Sequence, residues 1–124
     1  MPFKFDISTE EQIIYVTGFG DRGDEDKALE ALINHPDFNP HFDCLADFTN
    51  LGKTPPPPDM RKIASIYWKY RTSLKGSIAI VVNSSEVRKA SILANLLRPL
   101  GIRMEVYGDM ESAREFLQTG KSWG

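Results

Sequence analysis

The stretch that most constrains the fold is residues 77–82, which read Ser-Ile-Ala-Ile-Val-Val. A strand with one solvated face alternates apolar and polar residues, whereas a nearly continuous aliphatic run is typical of a central strand covered on both faces. The uninterrupted part, residues 78–82, is far shorter than the ~20 apolar residues that a membrane-spanning helix needs. The sequence therefore predicts a sheet with helices packed on it and no transmembrane segment.

Other segments also have strand patterns, either alternating apolar and polar residues or enriched in β-branched and aromatic residues. The predicted strands are residues 3–8, 12–18, 42–48, 77–82 and 102–107. A short polar turn joins the first two, which predicts an antiparallel hairpin.

Helical spacing of apolar residues separates the later strands. The predicted helices run from Asp24 to a stop at His35-Pro36, over about 59–73, from Asn83 to a stop at Arg98-Pro99 with Gly101 beyond it, and from Asp109 onward. The order β-β-α-β-α-β-α-β-α predicts an α/β mixed sheet, in which helix-linked parallel strands follow the hairpin.

Three polar residues stand where helix caps are expected. Asp59, Asn83 and Asp109 each precede a helical pattern, and Glu86 would complete a capping box with Asn83. The prolines at 55–58 predict an extended tether before Asp59.

Length and composition are those of one domain, predicted over residues 1–119 with a flexible tail at 120–124. The single cysteine, Cys44, excludes an internal disulfide and is expected to be a buried structural residue. No signal-like segment opens the sequence, so a cytoplasmic location is expected. The net charge is −8 over residues 1–60 and +6 over residues 61–124, a difference that can steer a charged partner if it persists after folding.

Motifs for common chemistries are missing from the sequence. It has no phosphate-binding glycine loop, no G-x-S-x-G and no plausible Cys-His pair, so no catalytic residue and no cofactor are predicted. His35, His41, Asp37 and Asp43 lack recognised ligand spacing, and no metal site is predicted. An acidic isoelectric point of about 5.7 disfavours nucleic-acid binding.

A polar group is expected at the carboxyl edge of the sheet, where α/β folds usually bind ligands. Asp47 lies near the end of a predicted strand, and Thr49, Asn83 and Ser84 should lie at the same edge. These side chains are candidate ligand or partner contacts; alternatively, Asp47 and Thr49 only satisfy nearby backbone amides.

The predicted helix over 59–73 combines a basic face with several aromatic residues. Core packing accounts for Tyr67 and its apolar neighbours, whereas Trp68 lies off that stripe. Tyr67 and Trp68 are therefore candidate ligand or partner contacts, and peripheral membrane contact or an acidic partner is compatible with the basic face.

Over nearly its full length the chain resembles the SpoIIAA-like family, small bacterial proteins of the STAS type. The resemblance lies in residues 35–40, residues 42–49, the early hairpin that ends in Gly18, the aliphatic strand before Asn83 and the closing residues 106–117. The resemblance implies a STAS-like sheet of four to five strands with packed helices, related to Sec14-type lipid carriers, and a binding rather than a catalytic role.

The resemblance also concerns a phosphoacceptor. In anti-sigma-factor antagonists proper, Asp-Leu-Ser runs on to an Asp-Ser-Ser-Gly phosphoacceptor at the start of a helix. Here Asp47-Phe48-Thr49 fits the opening, but Lys53-Thr54 and four prolines replace the rest. Thr49 and Thr54 are the remaining candidate phosphoacceptors.

Two hypotheses follow from the sequence. The first is a non-enzymatic module that docks a protein partner or holds a small apolar ligand between the sheet and the helix that begins at Asp59; a homodimer is compatible with it. The aromatic residues behind this hypothesis include Phe19, Phe38, Phe42, Tyr67, Trp68 and Tyr70. The alternative is a phosphorylation-linked regulator that uses Thr49 or Asp47.

Overall fold

The computed structural model of the chain describes residues 3–20, 25–51 and 54–123. Its strands are β1 (Phe3–Ser8), β2 (Ile13–Gly20), β3 (Asp43–Leu51), β4 (Ser77–Val81) and β5 (Arg103–Tyr107). Its α-helices are α1 (Glu25–Ile33), α2 (Pro57–Lys69), α3 (Val87–Leu97) and α4 (Met110–Trp123). The predicted order of elements is confirmed. The domain limits at residues 1–119 stay a prediction, and Asp24 lies outside the described residues.

The strands form one sheet in the order β1-β2-β3-β4-β5. β1 and β2 are antiparallel, and every later neighbouring pair is parallel, so the predicted mixed sheet is confirmed. Every residue of β4 is buried, as its aliphatic run predicts. Because each right-handed crossover adds the next strand on the same side, the connecting helices α1, α2 and α3 share one face of the sheet.

Apolar side chains cover both faces of the sheet. On the first face, Ala46 and Ile80 of the strands pack with Ile63 of α2 and Leu97 of α3. On the second face, α4 supplies Ala113 and Leu117, which pack on Leu45, Ala79 and Val81. Because successive side chains of β3 and β4 point to opposite faces of the sheet, the two strands contribute to two separate cores.

The start of α2 differs from the prediction. The helix begins at Pro57, inside the proline stretch, with Pro56 as its N-cap residue. Proline suits the first helical turn, because the missing N–H would have no partner there and its φ is already helical. The extended tether over 55–58 is therefore wrong for Pro57 and Pro58. Asp59 is not the cap; it lies inside the first turn, where its N–H donates to the Pro56 carbonyl.

The capping box at Asn83 and Glu86 is also wrong. Residues Ser84–Glu86 form a short 3₁₀ turn, and the Asn83 side chain makes no capping hydrogen bond. Instead, Asn83 Nδ2 donates to the Thr49 carbonyl at 3.1 Å, and the Glu86 carboxylate accepts the Thr54 N–H at 3.2 Å. Asn83 thus ties the region before α3 to the end of β3, and Glu86 ties it to the segment that follows β3.

The helix predicted over about 59–73 ends early, because α2 stops at Lys69 and residues Arg71–Ser73 form a 3₁₀ turn. Two other predicted helix signals, at Asp109 and Gly101, are confirmed. Asp109 caps α4: its carboxylate accepts the Ser112 N–H at 2.7 Å and the Ser112 hydroxyl at 3.0 Å. Gly101 follows α3 and a 3₁₀ turn with φ +83°, a left-handed conformation that favours glycine. Among the described residues, no helix has the length and apolar character required to cross a membrane.

Candidate functional site

An apolar cavity of about 80 Å³ lies between the first face of the sheet and α1. Its walls come from distant parts of the chain: β1 and β2, the underside of α1, the loop after α1, and the loop before β4. Aromatic rings that line it belong to Phe3, Phe5, Phe38, Phe42, Phe48 and Tyr67. The site is thus a cavity with largely aromatic walls, and it lies beside the main core.

Small residues and a short helix explain why this space is unfilled. The floor includes Cys44 and Ala46 of β3, and the roof includes Ala28 of α1. The α1 helix has nine residues, of which only Leu32 is fully buried. A nine-residue helix spans about 13 Å, too short to cover the sheet as α2 does.

Cys44 is the lone thiol in the cavity wall, and it is half-buried. Loss of solvation raises the pKa of the Cys44 thiol to about 12, and the nearby Asp43 carboxylate adds to the shift. The thiol is therefore protonated near neutral pH and is a poor nucleophile. This agrees with the structural role predicted for it.

The roof helix α1 is tied to the end of α2 by one carboxylate. The Tyr70 hydroxyl donates to Asp26 Oδ1, and Lys69 Nζ lies 3.3 Å from both Asp26 oxygens. The Tyr70 hydrogen bond, followed by Lys69, lowers the pKa of Asp26, and the same bond raises the pKa of Tyr70. We call these three residues the α1 clasp.

Three of the four polar residues predicted at the carboxyl edge of the sheet meet there: Asp47, Thr49 and Asn83. Asp47 Oδ1 accepts the Thr49 N–H at 3.0 Å and the Thr49 hydroxyl at 2.7 Å. The β2–β3 register shifts at this point, where a bulge interrupts the pairing between Thr17 and Phe19. Asn83 joins the group through the Thr49 carbonyl. Asp47 therefore binds a nearby amide, as the simpler of the two interpretations expects.

The sheet separates this edge group from the cavity. Asp47 pairs with Val81 of the α4-side core, so its side chain is on the α4 face, whereas the cavity is on the opposite face. Ser84 is exposed in the 3₁₀ turn before α3. Of the sequence candidates, Tyr67 alone lines the cavity.

Trp68 lies next to Tyr67 in sequence but faces solvent, with 46% of its surface exposed. The Arg71 guanidinium stacks 3.6 Å from the centre of its ring and donates to the Trp68 carbonyl at 2.8 Å. One face of the indole is thus already occupied by a cation.

Sequence reasoning placed the apolar site beneath the helix that begins at Asp59, and the structure places it beneath α1. Of the aromatic residues that suggested a site, Phe38, Phe42 and Tyr67 line the cavity, and the Phe19 side chain lies outside the described part. Contributions from Phe5 and Leu29 were missed. No local signal in the sequence marks these two residues as cavity walls.

The His35 side chain and the His41 backbone make local contacts. His35 Nδ1 accepts the Asp37 N–H at 3.0 Å, and its ring lies edge-on to Phe5. The His41 N–H donates to the Asn39 side chain. Among residues 3–20, 25–51 and 54–123, no cluster of three or more His, Cys, Asp or Glu side chains could hold a metal ion.

Comparison with known proteins finds similarity at the level of fold. No protein-family model matches the chain, and no curated protein matches it. The chain is similar to the crystal structure of an anti-sigma factor antagonist from Mycobacterium paratuberculosis, with a TM-score of 0.58, 14% sequence identity and coverage of 94% of each chain. The predicted STAS-like fold is thereby confirmed.

Proposed function

We propose that this chain, which has the fold of an anti-sigma factor antagonist, is a non-enzymatic binding module that holds a small apolar, lipid-like ligand under α1. The observation that carries the proposal is the cavity, whose walls are almost entirely aromatic and aliphatic. Binding sites for small molecules are concave and mostly apolar, with few polar groups.

The size of the cavity defines the ligand group that fits. An engineered dry cavity of about 150 Å³ holds benzene or xenon. At about 80 Å³, this one is suited to a slimmer group such as the end of an unbranched chain. Burial of each methylene contributes about 0.8 kcal/mol. Four carbons then contribute about 3 kcal/mol, which corresponds to millimolar or weaker binding.

The chemistry of the walls favours binding over catalysis. The raised pKa keeps the Cys44 thiol protonated, and the side chains that line the described cavity include no histidine to act as its base. Asp47 and Thr49 are bonded to each other on the opposite face of the sheet.

The test uses xenon and 1-butanol as probes, followed by NMR of labelled methyl groups. In the natural sequence, both probes should shift the methyl signals of Leu29 and Leu32, which line the cavity. Ala28→Leu adds three carbons inside the cavity and should abolish these shifts. Ala31→Leu makes the same change on the exposed side of α1 and should leave them intact.

The proposal fails if neither probe shifts the Leu29 and Leu32 signals. It fails equally if Ala28→Leu, shown to be folded by its dispersed spectrum, binds the probes as the natural sequence does. A native mass spectrum of gently purified protein complements this test, since a copurified apolar ligand adds mass that is lost on denaturation.

A second candidate function is a phosphorylation-linked regulator with a protein partner, supported by the shared fold over 94% of the chain. The Thr49 hydroxyl contacts Asp47, and the Thr54 N–H contacts Glu86. A phosphate on either threonine would meet a carboxylate and weaken these ties by repulsion. Normal partner binding by a Thr49→Ala, Thr54→Ala double variant would exclude this function.

Two further expectations remain proposals. Exposed Trp68 and the basic surface of α2 fit an acidic partner or a membrane surface, and light scattering at several concentrations would test a homodimer. A cytoplasmic location also stays a prediction.

A further inference from the structure

We propose that the α1 clasp, formed by Asp26, Lys69 and Tyr70, holds α1 over the partly open cavity, and that wider access to the cavity requires α1 to open locally from α2. The inference deepens the proposed function and rests on it for the ligand. The opening itself can be measured without any ligand.

The clasp connects the roof of the cavity to a firmer part of the molecule. Asp26 lies in the first turn of α1, beside Glu25, which lines the cavity. Lys69 and Tyr70 lie at the end of α2, a helix that buries Met60 and Ile63 in the main core. Release of Asp26 would therefore free α1 without disturbing the packing of α2.

The rest of α1 is weakly held, so the clasp matters. Leu32 is its only buried residue, and Ala28 and Leu29 are partly buried and border the cavity, although Ala28 also packs against the main core. Segments with few buried apolar contacts open locally at lower free energy than the whole domain unfolds.

The two arms of the clasp differ in character. The Lys69–Asp26 ion pair is exposed, with side-chain exposures of 59% and 47%, so dissolved salt should weaken it. The Tyr70 hydrogen bond is partly buried and has a charged acceptor, which makes it the stronger arm. High salt should loosen the clasp but not abolish it.

Cys44 provides the readout, because it lines the cavity that α1 covers. Cys44 is only partly buried, so its modification by N-ethylmaleimide should become faster as the fraction of molecules with α1 open increases. Tyr70→Phe removes the Tyr70 arm and should speed modification about tenfold, the effect of losing one hydrogen bond to a charged group. Asp26→Asn removes the ion pair with Lys69 and leaves Tyr70 a weaker, neutral acceptor, so it should also speed modification. The effect of the double variant should be smaller than the product of the two single effects, because both changes weaken the Tyr70–Asp26 hydrogen bond.

Controls separate the clasp from general loss of stability. Glu105→Gln removes a comparably exposed ion pair with Arg98, remote from the cavity, and should leave the rate unchanged. Addition of 1 M NaCl should speed modification of the natural sequence more than that of Asp26→Asn. A shallow dependence of the rate on urea below the unfolding transition would identify the opening as local.

Unchanged rates in both clasp variants would overturn the inference, even if 1-butanol binds. So would a urea dependence as steep as that of global unfolding, since Cys44 would then react only in the unfolded chain. Faster modification in both variants supports the clasp even if neither xenon nor 1-butanol binds, in which case the proposed function alone fails.

Discussion

Gly76, the residue before β4, should be intolerant of any side chain. A Cβ there would overlap the Phe42 carbonyl oxygen, lie 2.7 Å from its carbonyl carbon and lie 3.1 Å from the Asp43 nitrogen. All three atoms are backbone, so a rotamer change cannot relieve the overlap. The Gly76→Ala variant must move the two segments apart.

The cost of that movement can be worked out from the neighbouring hydrogen bonds. Lys75 N–H donates to the Pro40 carbonyl at 2.9 Å, and Ser77 N–H donates to Asp43 Oδ1 at 2.9 Å. Loss of a neutral hydrogen bond costs about 1 kcal/mol, and loss of one to a carboxylate costs about 2 kcal/mol. Alanine restricts the unfolded chain, which offsets about 0.5 kcal/mol. We expect a net loss of about 2 to 3 kcal/mol in the free energy of unfolding.

Urea unfolding at constant pH measures this loss. With a slope of about 2 kcal/mol/M, the midpoint should fall by about 1 to 1.5 M. Gly101→Ala is the matched control, because a Cβ there meets no atom within 4 Å but must adopt φ +83°. Its cost is purely conformational, about 1 kcal/mol.

Substitution by asparagine distinguishes steric overlap from backbone strain, because asparagine tolerates the left-handed region. Gly101→Asn should be milder than Gly101→Ala, whereas Gly76→Asn should be at least as severe as Gly76→Ala. A midpoint for Gly76→Ala within about 0.3 M of the natural value, against a typical slope of about 2 kcal/mol/M, would refute the steric argument. A larger loss in Gly101→Ala than in Gly76→Ala would refute it as well.

Two other predictions concern the backbone and a helix cap. Gln12 has φ 58° in the β1–β2 turn, so Gln12→Gly should raise the free energy of unfolding by about 0.5 to 1 kcal/mol; an unchanged or lower urea midpoint would contradict this. Hydrogen bonds from the Ser112 N–H and hydroxyl lower the pKa of Asp109 from 3.8. The stability that this cap contributes is therefore present above pH 3.8 and is lost as pH falls through the folded-state pKa. Asp109→Asn should flatten the decline of the urea midpoint between about pH 4 and 2, and parallel curves for both proteins would exclude this linkage.

Local signals predicted the elements well, because they depend on neighbours in sequence. The aliphatic pattern of β4 and the apolar-polar alternation of β1 hold at the predicted residues. The Asp109 cap is correct because Ser112, its partner, lies three residues away.

Signals that depend on distant partners were misinterpreted. Asn83 has the same local pattern as Asp109, yet its amide donates to the Thr49 carbonyl, 34 residues away in sequence. Glu86 likewise binds Thr54 rather than the helix end. Asn83 and Glu86 can bind these distant partners in place of the local helix end only once β3 and β4 are paired.

The cavity could not be located from sequence for a related reason. It results from small residues, Ala28, Cys44 and Ala46, that strand register and helix placement bring to the same place. Each of these small residues is common in a helix or strand. The sequence has no periodic pattern that would show where small side chains from different segments leave space unfilled. The aromatic surplus predicted an apolar site but not which helix covers it.

The strand order also has a consequence for synthesis on the ribosome. Because the spatial order of strands equals their order in the chain, each emerging strand can join the growing edge without separating strands already paired. The α4 helix emerges last, and it covers Leu45, Ala79 and Val81. Until it docks, the nascent sheet has one bare apolar face, the kind of surface that promotes aggregation. Chains that stall before residue 110 are therefore the ones most in need of a chaperone.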